Sequence, residues 1–449
     1  MKDFDILFIG SGQAAWNAAL PLAMSGKKVG IVEENKVAGV CTNFGCDAKG
    51  VLDGPIKALE ILKQYEEVSL TKVETKIDWE KLMQHKHSII DPLSGQLQGM
   101  LEKVGVQFIF GHGEFIDGQT VQVGTQTYTA DKFVVATGQR PARLNIPGKE
   151  YLKNSTDFLD LPHLPERMTF IGAGYVSMEL ASIAVAAGSK VTIIEFAPTS
   201  LNGFDSEFAD KLVKKMEADG VEFFFNQGVS SVEKQSDESL MIKTDKGTEV
   251  LSDYVVDATG RIPNVEHVGL DKAGVAYDKS GIFVNDHLET AQKNIFASGD
   301  VISKTVPKLT PTAAFEARYL TKLFVGQTQE AIEYPLIATA AFTMPRIAQV
   351  GITTQEAKAD SEKYKVKTID LSQNWDYKGM NEKNAEMKLI FDKDGVVVGA
   401  TNYSNEAPEV INSLTSIIQN KLTLSDMEKI LYVFPTLDYN LPFYLNNQF

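Results

Sequence analysis

Two stretches of the chain repeat one arrangement of apolar and polar positions. Residues 6–9 are an unbroken apolar run; a glycine turn follows, residues 14–24 are mostly small and apolar, and a second apolar run at 29–32 ends on Glu33. The same order returns from Met168: a mostly apolar run to Ile171, a glycine turn, mostly small and apolar residues over 176–187, and a mostly apolar run ending on Glu195. Short apolar runs bounded by glycine read as strands buried on both faces, and the segments between them as packed helices. Each acid stands 23 positions after the first glycine of its unit. This is close to the spacing at which a second-strand carboxylate meets an adenosine ribose in a strand–helix–strand dinucleotide unit.

A second self-similarity sets Asp131-Lys-Phe-Val-Val-Ala-Thr137-Gly138-Gln-Arg140-Pro against Asp253-Tyr-Val-Val-Asp-Ala-Thr259-Gly260-Arg261-Ile-Pro. Each copy closes one nucleotide-binding region, and a whole glycine fingerprint lies between them. The second unit is therefore expected as an insertion in the first. From about Tyr334 the glycine fingerprints stop, and β-rich pieces at 340–350 and 388–400 alternate with a helical stretch at 408–421. The expected architecture is α/β, with two Rossmann-like domains and a C-terminal α+β interface domain. The first spans 1–148 and 264–333, the inserted one 149–263, and the interface domain 334–449. The charged stretch 57–98 reads as a solvated helical face.

Composition narrows the function class. With 449 residues, 43% hydrophobic and 23% charged, the chain is neither a disordered tail nor a rod, and it is long enough for several cores. A net charge of −15 argues against a nucleic-acid partner. No apolar run approaches 18 residues, and residues 6–9 follow Asp3 and Asp5 rather than a basic leader, so a cytoplasmic protein without a membrane partner is expected. The only cysteines are Cys41 and Cys46, too few for a disulfide framework or a four-cysteine metal site; no metal site is expected.

In Gly10-Ser11-Gly12-Gln-Ala14-Ala15, glycine serves the tight turn and the approach of a pyrophosphate to a helix N-terminus, while Ala15 lets the helix pack close to the strand. Gly172-Ala-Gly174-Tyr175 repeats this. After Glu195 comes Phe-Ala-Pro-Thr-Ser, without an Arg or Lys to receive a 2′-phosphate, so NADH is expected in preference to NADPH. Cys41 and Cys46 are either two small hydrophobes or a redox pair. Lys49, on the helix face of Cys46, and the helix N-terminus would both stabilise a thiolate and favour redox work.

The fingerprints, Cys41-x4-Cys46, Lys49, both Ala-Thr-Gly segments, Thr290-Ala-Gln-Lys-Asn-Ile-Phe-Ala-Ser-Gly299-Asp300 and Phe342-Thr-Met-Pro-Arg-Ile-Ala-Gln-Val-Gly351 together resemble the flavoprotein disulfide reductases: glutathione reductase, dihydrolipoamide dehydrogenase and mercuric reductase. The resemblance covers essentially the whole chain. It implies FAD on the first domain, with Glu33 at the adenosine ribose, Asp300 at the ribityl chain and Thr310 near the isoalloxazine. It implies Lys49 beside flavin N5, paired with Glu179, and Tyr175 over the nicotinamide pocket. Cys46 would exchange electrons with the flavin and Cys41 would attack the substrate. Residues 334–449 would dimerise, and the aromatics Tyr432, Phe434, Tyr439, Phe443 and Tyr444 suit an interface core.

Two departures bear on the substrate. Where the family has His-Pro-Thr and a glutamate four residues after the proline, this chain has Phe434-Pro435-Thr436 and Tyr439. All six histidines, at 85, 87, 112, 163, 267 and 287, precede the interface domain. Without that acid, worth ~10²–10⁴ in rate, ordinary disulfide turnover should be slow. The expected function is an NADH-dependent FAD oxidoreductase working through Cys41/Cys46 on a soft metal ion, an activated disulfide, a quinone or oxygen. A conventional disulfide enzyme using Tyr432, Asp438 or Tyr439 as donor, and a non-catalytic flavin redox sensor, are the alternatives. Mercury itself is disfavoured, because Asn446-Asn447-Gln448-Phe449 holds no cysteine pair. The smaller departure is Asp47-Ala48 between Cys46 and Lys49, where the family has an apolar residue and proline; Asp47 would slightly oppose a thiolate.

Overall fold

The computed structural model describes residues 2–72 and 74–446; Met1, Val73 and the tail residues Asn447, Gln448 and Phe449 lie outside the described residues. The chain divides into two compact units. Met1–Val51, Met83–Ala142 and Gly260–Tyr334 form the first, and Leu52–Leu82, Arg143–Thr259 and Pro335–Phe449 the second.

In the first unit the strands Gln107–Phe110, Val29–Glu33, Phe4–Ile9 and Gln126–Val135 lie side by side in that order, with Ile295–Ala297 beside the last, and all these pairings are parallel. Leu7, Phe8, Val29, Ile31, Phe133 and Val134 are fully buried, which is why these strands read as continuous apolar runs rather than alternating ones. Helix Gln13–Met24 buries Ala14, Ala15, Ala18 and Ala19, whose small side chains let helix Thr310–Phe324 pack against it.

The second unit contains a parallel sheet in the order Glu222–Phe224, Lys190–Ile194, Arg167–Ile171, Tyr254–Asp257, and a three-stranded antiparallel sheet, Val229–Lys234, Leu240–Thr244, Glu249–Ser252. It also holds a five-stranded antiparallel sheet in the order Thr339–Ala341, Arg346–Gly351, Val397–Ser404, Glu386–Asp392, Tyr364–Asp370, packed against helix Ala407–Gln419. A buried cation ties the layers of this unit together. Lys388 Nζ reaches Asp205 Oδ1 at 2.9 Å and Glu207 Oε2 at 2.6 Å, and stands 4.5 Å from the Phe208 ring centroid. Asp205 in turn caps helix Ser206–Ala218 by accepting from the Phe208 amide.

The stretch 57–98 differs from its expectation. It contains the end of helix Cys46–Glu66 and most of helix Trp79–Lys103, and Trp79, Leu82, Met83, Lys86 and Ile90 are buried. These positions recur at helical spacing, so an apolar stripe runs beneath the charges. Among the described residues no helix is long and apolar enough to cross a membrane.

Candidate functional site

The two glycine fingerprints share one construction, each within its own unit. Gly10 has φ +100°, and a Cβ there would stand 2.5 Å from the Ala136 carbonyl oxygen; Gly172 has φ +97°, and a Cβ there would stand 2.9 Å from the Ala258 carbonyl oxygen. This is why each Ala-Thr-Gly segment accompanies a fingerprint: its carbonyl occupies the place a side chain would take. Glu33 accepts from the Ser11 amide at 2.9 Å and the Asn35 amide at 2.8 Å; Glu195 accepts from the Ala173 amide at 2.5 Å and the Ala197 amide at 2.8 Å. In both copies the acid is buried and held by the amide between the two glycines.

Gly12 and Gly174 begin their helices without a side-chain cap, and a Cβ at either would meet nothing within 4 Å. Both N-termini are open to an anionic group, which the helix dipole and free amides favour. The buried hydroxyls of Ser298 and Thr312 in the first unit, and of Ser177 and Ser200 in the second, find no hydrogen-bond partner among the described residues, and Ser298 precedes Gly299, where a Cβ would stand 2.9 Å from Ala14 Cβ. A glycine cradle with spare buried donors fits a dinucleotide in each unit.

The cysteines lie beside the first cradle. A Cβ at Gly39 would stand 2.7 Å from Gly12 Cα, so the segment leading to Cys41 is pressed onto the fingerprint turn. Cys41 lies on helix Gly39–Phe44 and Cys46 begins helix Cys46–Glu66; both are free thiols, Cys46 exposed and Cys41 half-buried. Thr310, the first residue of helix Thr310–Phe324, donates its hydroxyl to Cys41 Sγ at 3.0 Å and stands 3.8 Å from Cys46 Sγ. The Cys41 S–H, the Thr310 hydroxyl and the Lys49 charge pull the Cys46 pKa down to about 6, against burial and the Asp47 charge. The bond to Cys46, together with burial, pushes Cys41 well above the ordinary thiol range. One thiolate and one neutral thiol result. The Lys49 charge lowers the Cys46 pKa, but the larger influence is Cys41 itself. Asp47 opposes the thiolate and is the least of the named influences.

The remaining candidates are dispersed. In the first unit Ala15 is fully buried; Thr137 and Asn264 exchange hydrogen bonds, and the Gly260 carbonyl accepts from the Ala142 amide. Gly138 accepts from the Asn264 amide, while Gly299 has φ +82°, with Asp300 half-buried after it. In the second unit Tyr175 is 43% exposed, and buried Glu179 accepts from the Phe342 amide at 2.8 Å.

A model described as pyridine nucleotide-disulphide oxidoreductase matches residues 4–317, and that family's dimerisation domain matches 337–442. The chain belongs to this family. Among similar proteins, the dihydrolipoyl dehydrogenase of Bacillus subtilis (strain 168) is 31% identical over 443 residues, covering 96% of this chain and 94% of that protein. The glutathione reductase of a Nostoc species is 30% identical over 451 residues, covering 97% of each. The solved structure of the HOCl-induced flavoprotein disulfide reductase RclA from Escherichia coli superposes with a TM-score of 0.87 at 23% identity, covering 98% of each chain, and shows the fold shared. Pyridine nucleotide-disulphide oxidoreductases are FAD-dependent enzymes that use NAD(P)H, and this chain is one of them.

Two features of this family member escaped sequence reasoning. The Thr310 hydroxyl stands 3.0 Å from Cys41 Sγ and 3.8 Å from Cys46 Sγ, contacts spanning more than 260 residues with no local signal. Second, Glu316 and Lys304 form a buried ion pair behind Gly299. On the C-terminal segment Phe434 and Tyr439 meet each other, while Tyr432 and Tyr444 pack against the core of the five-stranded sheet and Phe434, Tyr439 and Phe443 face outward.

Proposed function

We propose that the chain is an NADH-dependent oxidoreductase that passes electrons through Cys41 and Cys46 to an acceptor that needs no histidine acid. On this reading FAD lies on the first fingerprint, with Gly10, Gly12, Glu33, Thr137, Gly138, Gly299, Asp300 and Thr310 around it. NADH lies on the second, with Gly172, Gly174, Tyr175 and Glu195. Lys49 and Glu179 serve the reacting end, and residues 334–449 form a homodimer. When bound, FAD supplies the relay that takes a hydride from NADH and hands two electrons to a disulfide.

The observation that carries the acceptor class is the aromatic pair Phe434 and Tyr439, where the family resemblance places an acid and its carboxylate partner. The other donors weighed for a conventional disulfide enzyme are poorly suited. Burial and Asp438 push Tyr432 above the usual phenol range, and Asp438 is engaged by the Ser413 hydroxyl at 2.7 Å.

The chain's own groups account for the protons. NADH and the Cys41–Cys46 disulfide give NAD⁺, one thiol and one thiolate: the hydride brings two electrons and a single proton. Cys41 keeps that proton and Cys46 keeps the charge, the state that the hydrogen bond between the two sulfurs favours. A soft metal ion can take the electrons directly: thiol, thiolate and two Cu(II) ions give back the disulfide, two Cu(I) ions and one proton. No departing thiolate then needs an acid.

The test is NADH oxidation by the FAD-loaded protein with thiol-bound Hg(II) or Cu(II), quinones, oxygen, glutathione disulfide and lipoamide in parallel. Turnover with a metal ion, quinone or oxygen well above that with the two disulfides is expected. Brisk glutathione or lipoamide turnover would overturn this reading of the acceptor. A single reduction without turnover on any acceptor would point to a redox sensor instead.

A further inference from the structure

A carboxylate that has not yet been given a role lies behind the turn Ser298–Asp300. Glu316, on helix Thr310–Phe324, is fully buried. It accepts three hydrogen bonds: from the Gly299 amide at 2.5 Å, from Lys304 Nζ at 2.6 Å and from the Tyr334 hydroxyl at 2.8 Å. The Lys304 side chain is 6% exposed, so both charges are out of water. A buried carboxylate is costly unless it is paired and its lone pairs are engaged; here a cation and two further donors meet that need. All these residues belong to the first unit.

What the carboxylate holds is specific. Gly299 has φ +82°, a conformation side chains rarely adopt, and a Cβ there would stand 2.9 Å from Ala14 Cβ on helix Gln13–Met24. The Gly299 amide is pinned by Glu316. On the other side of Asp300, its carbonyl accepts from Lys308 Nζ at 3.0 Å, and that ammonium also reaches the Ser280 carbonyl at 2.9 Å. Burial lowers the Lys308 pKa, as for a group enclosed against this turn. The backbone on both sides of Asp300 is thus tied down, while its side chain is not part of these bonds. Glu316 also lies six residues after Thr310 on one helix. One carboxylate therefore fixes the turn carrying Asp300 to the helix carrying the hydroxyl that touches Cys41.

We propose that Glu316, paired with Lys304, is the positioning residue for the flavin: it sets the Gly299–Asp300 turn so that the Asp300 carboxylate is presented to the ribityl hydroxyls. This rests on the reading of Asp300 as a ribityl ligand. A preset turn spares the binding step the ordering of that segment, so the loss of Glu316 should appear in flavin affinity before it appears in the fold.

The test uses the full-length chain stripped of flavin and titrated with FAD, followed by quenching of flavin fluorescence, with the melting temperature of the flavin-free protein measured alongside. Glu316→Gln keeps the size and one acceptor oxygen but removes the charge. Glu316→Leu with Lys304→Met replaces the pair by apolar groups, a change that often preserves stability. Both variants should bind FAD about tenfold more weakly or worse, the scale of one hydrogen bond to a charged group, with the flavin-free melting temperature of the double variant near that of the parent. FAD affinity within twofold of the parent in both variants would overturn the proposal, as would a loss of affinity that merely tracks the melting temperature. Asp300→Ala separates the two levels. If it leaves FAD affinity unchanged, the reading of Asp300 fails; if it weakens FAD while both Glu316 variants bind normally, that reading stands and the positioning role fails.

Discussion

The ring of Phe434 meets the ring of Tyr439 edge-on, with centroids 4.9 Å apart and planes inclined at 67°. Trp375 adds a third ring, its centroid 5.9 Å from that of Phe434. Edge-to-face rings attract through their quadrupoles. The two side chains form an aromatic pair at the two positions on which the proposed acceptor class rests.

The first prediction follows directly. Phe434→His with Tyr439→Glu should speed glutathione disulfide or lipoamide reduction by ~10²-fold or more, the range of a general acid, without changing NADH-to-flavin transfer. Phe434→His alone should do much less, because the imidazole lacks the carboxylate that fixes its tautomer. Steady-state rates of the two variants and the parent decide it; equal gains from the single and double changes would remove the carboxylate from the account.

Cys46 titrates at about 6, and the thiolate is its reactive form. Its alkylation rate in the reduced protein should therefore rise through that pH and level off near neutrality. Cys41→Ala removes the donor that contributes most to the shift, and Thr310→Val removes the hydroxyl. Both should move the midpoint up, towards the ordinary thiol value of about 8.5, with Cys41→Ala moving it further. The pH profile of iodoacetamide labelling measures this, and an unmoved midpoint in Cys41→Ala would refute the hydrogen-bond account.

Glu195 should enforce the nucleotide preference. NADH should reduce the bound flavin faster than NADPH at equal concentration. Glu195→Ala should narrow that ratio by about tenfold, ~1.4 kcal/mol of differential binding, chiefly by relieving repulsion of the 2′-phosphate. Stopped-flow bleaching of the flavin with each nucleotide checks both statements.

Leu431 is 94% exposed and Phe443 85% exposed on the C-terminal segment. Such side chains are expected to be covered by a second copy, so the protein should sediment as a dimer at micromolar concentration. Leu431→Asp with Phe443→Asp should shift it towards monomer while leaving the bound flavin's absorbance in place. A monomeric parent would count against the interface.

Residues 6–9 and 29–32 are legible as strands because burial on both faces leaves no polar position to interrupt them. The acids Glu33 and Glu195 were legible because one strand–helix–strand unit fixes their offset from the glycines. Other partnerships had no such signal. Lys388 with Asp205, Lys304 with Glu316 and Thr310 with Cys41 are polar contacts made by tertiary packing, and no periodicity records which buried cation meets which carboxylate. The stripe of Trp79, Leu82, Met83 and Ile90 was present in the sequence, but it was read as solvated because charges outnumber it along the same stretch.

The carbonyls of Ala136 and Ala258, each lodged against a fingerprint glycine, carry a consequence for descent. Positions 10 and 172 each face an obstacle made of main chain, which no exchange of a neighbouring side chain can move aside. A substitution there has no single-step compensation. Libraries saturating either codon should return glycine almost alone, while the flanking Ser11 and Ala173 tolerate other small residues. If the two units arose by duplication, this interlock between two segments, more than 80 residues apart in the second copy and more than 120 in the first, is the part neither copy could drift away from.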